Sequence, residues 1–354
     1  MVGLTDLFGR PLYGKSVQTP EQDIEAVLKE SGPEYEGFQF ETPGGGHQSD
    51  VYMVTLRHNG EAYEVVVKFK PQGDVPFAVE PCLHDFVAGR TDVPVPRILV
   101  YEDNPDADVP PYFVTERIHG ENLAEEFAGL STADRRRVLA QSGRILGDMH
   151  SEIGFEAFGR LTLHDDRIIV SDWMGNWQEY FESLTRSHLS HLDGTPFEDM
   201  TDRAWDCIEP ALSMVPEDGV PRLVHDDFRP ANLMFEQTEE SPITAVLDWQ
   251  DVLAALPEYN LAQTEFLFID SSFQDPERRE SLRTVFHEGY QEMRPMEFDE
   301  GYEQRRPLYQ LSTLLWRMAG FEAVFDDKSG LAAARAEAQY RQQFERLVEE
   351  IQTN

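Results

Sequence analysis
The stretch that decides the fold is Leu223–Phe235, LVHDDFRPANLMF. It sets His225, Asp226 and Asp227 behind an apolar pair and places Asn232 five residues after the second Asp. Charges held between two hydrophobic segments are expensive unless something uses them. The continuation sharpens the reading: after LMF comes the polar EQTEESP, then ITAVLDWQD, an apolar run that ends at Asp248. Strand, turn, strand predicts a hairpin with Asn232 just before one arm and Asp248 at the end of the other. An amide oxygen and a carboxylate so paired are hard ligands suited to Mg2+, which takes few protein ligands and completes its shell with phosphate oxygens. Asp227, at the start of the loop, is then placed to meet a substrate hydroxyl.

Two features upstream also point to phosphate. PGGGHQSDVYMV (Pro43–Val54) sets three glycines between strand-like runs, where backbone N–H groups can cradle phosphate oxygens; a plain glycine hairpin is the alternative. VVVKF ends an apolar strand on Lys68, which reads as a phosphate partner or as a gatekeeper on a sheet edge. Glu80 opens a predicted helix over Glu80–Gly89 and has the charge to hold Lys68 in place.

Around these motifs the chain divides by pattern. TPEQDIEAVLKES (19–31) predicts a capped helix; FQFETPGGGHQSDVYMVTL then reads as strand, glycine turn, strand, EAYEVVVKFK as a further strand ending in two lysines, and VPVPRILVYEDN and PPYFVTERI as strands around an Asp/Pro turn. Beyond about residue 121 helical spacing dominates, over 132–151, 172–190, 199–213, 276–293, 303–325 and 331–352. The expectation is an α+β protein of two lobes joined near Thr115–Gly120: 1–118 small and sheet-rich, 119–354 larger and mostly helical. Two lobes imply a cleft for ligands.

Composition bounds the setting. The chain has 354 residues, 40% of them hydrophobic, enough for one large core or two moderate ones. Its formal charge is −36, and only five of 30 basic residues are lysine. Such a charge repels nucleic acid. It also resembles the composition of halophilic proteins, whose self-repulsion is screened in molar salt, where the Debye length falls to about 3 Å. On that reading acidity says nothing about the charge of a substrate. Cys82 and Cys207 form no disulfide framework or zinc motif. No apolar run nears the roughly 18 residues of a membrane span, and the N-terminus lacks a signal-peptide pattern. A cytoplasmic protein without membrane or nucleic-acid partners is expected.

The residues together carry a resemblance. His-x-Asp-x-x-x-x-Asn followed by an apolar strand ending in Asp resembles the catalytic and metal-binding segments of the protein-kinase-like fold. LVHDDFRPANLMF…AVLDWQD is more closely similar to the aminoglycoside phosphotransferase and choline kinase family. PGGGHQSDVYMV, VVVKF, Glu80, VPVPRIL, YFVTERIHGENL and LGDMH match its other landmarks in order, over about residues 38–265. The resemblance implies a small antiparallel-sheet N-lobe, a mostly helical C-lobe, and an ATP- and Mg2+-dependent kinase of a small-molecule hydroxyl. It implies that Gly44, Gly45, Gly46 and Ser49 cover the ATP phosphates, that Lys68, oriented by Glu80, binds them, and that backbone at Glu116–Ile118 holds adenine. Asp227 is then the catalytic base, with Asn232 and Asp248 on the metal. Three positions depart from the pattern: Asp226 replaces Gly, Arg229 replaces a frequent His, and Asn260 replaces an acidic residue.

Two other functions compete. A pseudokinase keeps the nucleotide pocket for regulation or partner binding without turnover, and a metal phosphohydrolase uses His225 and Asp226 as a ligand pair. Trp173, Trp177, Tyr180, Phe181 and Leu184 recur at helical spacing, as a core-facing stripe or as an aromatic wall for the acceptor. His188 and His191 read as surface residues.

Overall fold
The computed structural model describes residues 20–31, 34–42, 50–71, 77–105, 109–165, 167–238, 241–325 and 330–353. It separates into two compact units: the described residues of Met1–Pro71 with Leu99–Thr115, and those of Gln72–Ile98 with Glu116–Asn354.

The described part of the first unit is a sheet backed by one helix. α1 (Pro20–Ser31) starts on a proline, whose fixed φ suits a first helical turn. β1 (Gly37–Glu41), β2 (Asp50–His58) and β3 (Glu61–Phe69) run antiparallel, with Tyr52 opposite Val67 and Val54 opposite Val65. β4 (Ile98–Glu102) and β5 (Tyr112–Glu116) complete the order β1-β2-β3-β5-β4. Tyr52, Val54, Leu56 and Val67 bury one face with Ile24, Val27 and Leu28 of α1. Period-two and period-3.6 stripes thus meet in a single small core.

The second unit begins with α2 (Val79–Ala88), β6 (Glu121–Asn122), α3 (Leu123–Glu126) and α4 (Thr132–Glu152). A hairpin of β7 (Phe158–His164) and β8 (Arg167–Met174) leads to α5 (Trp177–Ser190) and α6 (Thr201–Ala211). Four short strands follow: β9 (Arg222–Val224), β10 (Leu233–Phe235), β11 (Ile243–Val246) and β12 (Leu253–Ala255). They pair as β11-β10-β6 and β8-β7-β12-β9. α7 (Pro257–Glu265), α8 (Pro276–Met293), α9 (Glu300–Ala319), α10 (Phe321–Phe325) and α11 (Gly330–Thr353) close the unit. Side-chain caps start several helices, with Ser131 accepting from Asp134 N–H before α4 and Asp299 from Tyr302 N–H before α9. α4 and α8 touch so closely that a Cβ on Gly143 would collide with the Phe286 carbonyl, and one on Gly289 with that of Ala140.

Three expectations are corrected. Residues 172–174 belong to β8, because Asn176 caps a helix that starts at Trp177. Trp173 therefore leaves the stripe and stands 69% exposed, whereas Trp177 is fully buried against Phe181 and Tyr259 and donates to the Tyr309 hydroxyl (3.2 Å). The stripe from Trp177 onward is core. His188 is also buried, its ring bonded to the Ser312 carbonyl (3.1 Å), while His191 is exposed. The helix expected over 303–325 is broken at Gly320.

Candidate active site
β9 delivers the chain to His225, and the next seven residues fold back on themselves. Pro230 opens a 3-10 turn over Pro230–Asn232, closed by Asn232 N–H donating to the Arg229 carbonyl (2.9 Å). The His225 ring is buried edge-on to Trp249, and its Nε2–H donates to the Leu247 carbonyl (3.0 Å). Burial pulls its pKa down to about 4, so it is neutral. Leu247 N–H in turn donates to the Asn232 carbonyl (2.8 Å). These two tethers, on either side of one residue, set Asp248 beside the loop that holds Asn232.

Asp227 sits at the centre and is 7% exposed. Arg229 Nε donates to its Oδ1 (2.7 Å), and Asn232 Nδ2 donates to its Oδ2 (2.8 Å) and its main-chain carbonyl (2.9 Å). The Asn232 nitrogen is thereby committed to Asp227. Its Oδ1 accepts no hydrogen bond among the described residues. Burial raises the Asp227 pKa, the Arg229 and Arg317 guanidiniums oppose that, and the nearby Asp248 charge adds to it. A carboxylate so balanced is held rigidly and kept more basic than one in water.

Asp226 explains its own departure from the family pattern. Its φ is +58°, the left-handed region that favours glycine and that Asp tolerates better than most residues. Its side chain does not face solvent: Oδ1 accepts from the Tyr259 hydroxyl (2.9 Å) and from Gln263 Nε2 (2.9 Å), both on α7. Burial pushes its pKa up to about 7. His225 and Asp226 thus serve different partners, which removes the basis for a His-Asp metal pair. Asn260 is likewise a buried link, with His150 Nε2–H donating to its Oδ1 (3.2 Å) and the Tyr290 hydroxyl on the other ring nitrogen (3.1 Å).

The remaining expected site residues are more dispersed. Gly44, Gly45, Gly46 and Ser49 lie outside the described residues. Lys68 is buried near the end of β3, its Nζ 5.8 Å from the Phe113 ring centre. Glu80 is buried in the first turn of α2, in the other unit. Glu116 brackets Arg97, its N–H donating to the Arg97 carbonyl (3.1 Å) and its carboxylate accepting from the Arg97 N–H (3.0 Å). The main-chain groups of Ile118 take part in none of the described hydrogen bonds. Tyr259 and Gln263, which hold the loop through Asp226, were not found from sequence; their only signal was PEYNLAQTE, three residues past the predicted metal strand and its DVL.

Comparison with known proteins follows this geometry. The profile of APH, the phosphotransferase enzyme family, matches residues 39–298. Acyl-CoA dehydrogenase family member 11 of Gallus gallus is 25% identical over 231 residues, 61% of this chain, so the match spans 27% of that relative's length. Among solved structures, the ternary complex of aminoglycoside phosphotransferase APH(4)-Ia with AMP-PNP and hygromycin B superposes at a TM-score of 0.61. It is 15% identical, covering 94% of this chain and 99% of the other. Choline kinase from Cryptosporidium parvum Iowa II gives 0.51 at 14% identity, covering 93% and 97%. These likenesses establish the protein-kinase-like fold, with a sheet-rich N-terminal part and a mostly helical C-terminal part. A match over residues 39–298, which includes the loop built around Asp227, decides the family: the chain belongs to the phosphotransferase enzyme family.

Proposed function
We propose that the chain transfers the γ-phosphoryl group of ATP, in the presence of Mg2+, to a hydroxyl of a small-molecule acceptor. The observation that carries this reading is the orientation of Asn232. Its nitrogen is spent on Asp227, so its oxygen, a hard donor, is turned away from that carboxylate on the loop that Leu247 ties to Asp248. Asn232 and Asp248 would hold Mg2+, which when bound neutralises charge developing on the transferred phosphoryl group. Arg229 and Asn232 fix the Asp227 carboxylate, and Asp227 accepts the hydroxyl proton as the acceptor oxygen bonds to γ-phosphorus and the bond to the ADP oxygen breaks. Lys68 is assigned to the nucleotide phosphates, with Glu80 to orient it and Gly44, Gly45, Gly46 and Ser49 to cover them. Glu116 and Ile118 flank the base, and the uncommitted main-chain groups of Ile118 suit it. On this reading 1–118 binds nucleotide and 119–354 carries the acceptor site.

The test uses ATP labelled at the γ-phosphate and a fractionated small-molecule extract as acceptor source. Asp227→Ala lowers transfer by about 10²- to 10⁴-fold while ATP still binds. A variant with the full rate refutes the role given to Asp227. Nucleotide binding by the wild type with no transfer to any fraction is the outcome a pseudokinase gives.

A further inference from the structure
A cavity of about 350 Å³ opens within the second unit beside the Asp227 loop. Arg229 to Ala231 form one side, Arg317 of α9 and Tyr340 and Gln343 of α11 another, and Phe127, Phe266 and Leu267 give it apolar wall. Its charge is opposite to that of the molecule. Acidic residues outnumber basic ones 66 to 30 in the chain, yet the described lining contains two arginines and no Asp or Glu. Arg317 makes no ion pair among the described residues, although its charge acts on Asp227; it donates to the Tyr340 hydroxyl (3.3 Å). Its neighbours in the same helices differ, since Arg305, Arg306, Arg341 and Arg346 all sit in ion pairs. Arg229 spends only Nε on Asp227, and Gln343, 7% exposed, has an Nε2 with no hydrogen-bond partner. The described lining therefore offers donors and positive charge, and no carboxylate to receive a cation.

We propose that the acceptor is an anionic alcohol: its carboxylate or phosphate pairs with Arg317 and Arg229, its carbon skeleton lies on the apolar wall, and its hydroxyl reaches Asp227. The inference rests on the kinase reading for the hydroxyl's fate, but not for the anion site. An ammonium beside either guanidinium meets like charge and is repelled. An oxyanion gains a charge-assisted, bidentate pair instead.

The test is calorimetric titration of the ADP-saturated protein with four hexane chains. Each carries a hydroxyl at one end and, at the other, a carboxylate, a phosphate, a second hydroxyl or an ammonium. At least one anion binds about tenfold or more tighter than the diol, with the ammonium weakest, and the ratio of the two anions tells which source fits. Arg317→Gln removes that preference and leaves melting temperature and ADP affinity unchanged. Ammonium binding as tight as carboxylate, no saturable binding of either anion, or an equal loss for all four ligands overturns the inference. Labelled ATP separates the two readings. Anion binding without phosphoryl transfer sinks the kinase role alone, and transfer to the ammonium compound in preference to the anions sinks the anion site alone.

Discussion

At the scale of single residues, the active loop is a set of commitments. Asp227 gives one oxygen to Arg229 and one to Asn232. Asp248 is the residue proposed for the metal. Asp248→Ala loses Mg2+-dependent nucleotide affinity, and an unchanged ATP–Mg2+ titration refutes the metal role. Asp226 makes a separate pH prediction. Burial lifts its pKa from an ordinary carboxylate value to about 7, so between about pH 4 and 7 the native state holds a proton that the unfolded chain has released. Stability then falls as pH rises across that window and levels off above it. Asp226→Asn, which keeps an oxygen for Tyr259 and Gln263, lacks this slope and is the more stable protein at pH 8, by up to about 4 kcal/mol relative to the difference near pH 4. Parallel urea melts of the two proteins at both pH values check it, and identical pH profiles exclude the assignment. The spacing of His225, Asp227, Asn232 and Asp248 was legible in the sequence because each lies within a few residues of a strand end. The left-handed backbone at Asp226 was not, since an Asp in place of a Gly reads as charge before it reads as geometry.

At the scale of elements, strands with an alternating pattern and helices with clear caps matched the sequence reading, and the misplaced start of α5 has a definite cause. Trp173 fits a helical stripe with Trp177 as well as it fits a strand, and only the pairing of β8 with β7 decided between them. The same holds for the cavity arginine: Arg317 follows Asp227 by 90 residues, so no local pattern links them. The C-terminal helices are joined by buried ion pairs that periodicity does not announce. Glu265 at the end of α7 accepts from Arg283 Nε (2.7 Å) and His287 Nε2 (2.6 Å) of α8 and from the Tyr302 hydroxyl (2.5 Å) of α9. Burial alone would raise the Glu265 pKa; the His287, Arg283 and Arg306 charges overcome it and hold it near 2. Arg283 also reaches Asp270 (3.1 Å). Removing one member leaves the others buried and unpaired, so Arg283→Ala costs about 3–5 kcal/mol. Denaturant midpoints measure this, and a loss below about 1 kcal/mol excludes a structural role for the cluster. The α4–α8 contact is as intolerant in a different way, because Gly289→Val drives a side chain into the Ala140 carbonyl and the two helices must part.

At the scale of the whole molecule, charge is the dominant property. A formal −36 on 354 residues opposes compaction, and added salt relieves it. The Debye length falls from about 10 Å at 0.1 M to about 3 Å at 1 M. The midpoint of thermal unfolding therefore climbs with KCl over that range, and calorimetric scans at a series of concentrations follow it. A flat response means that the acidic surface is already neutralised by its own ion pairs and that the composition reflects no saline setting.

The order β1-β2-β3-β5-β4 carries a consequence for synthesis. β3 lies inside the sheet, but its second neighbour, Tyr112–Glu116, is made only after α2 and β4 have left the ribosome. Until then the nascent chain shows a nine-residue strand, EAYEVVVKF, with one row of main-chain donors and acceptors unclaimed. Its Lys68, whatever it does for nucleotide in the finished enzyme, is the charge nearest the apolar end of that open edge, where it discourages a second nascent chain from pairing.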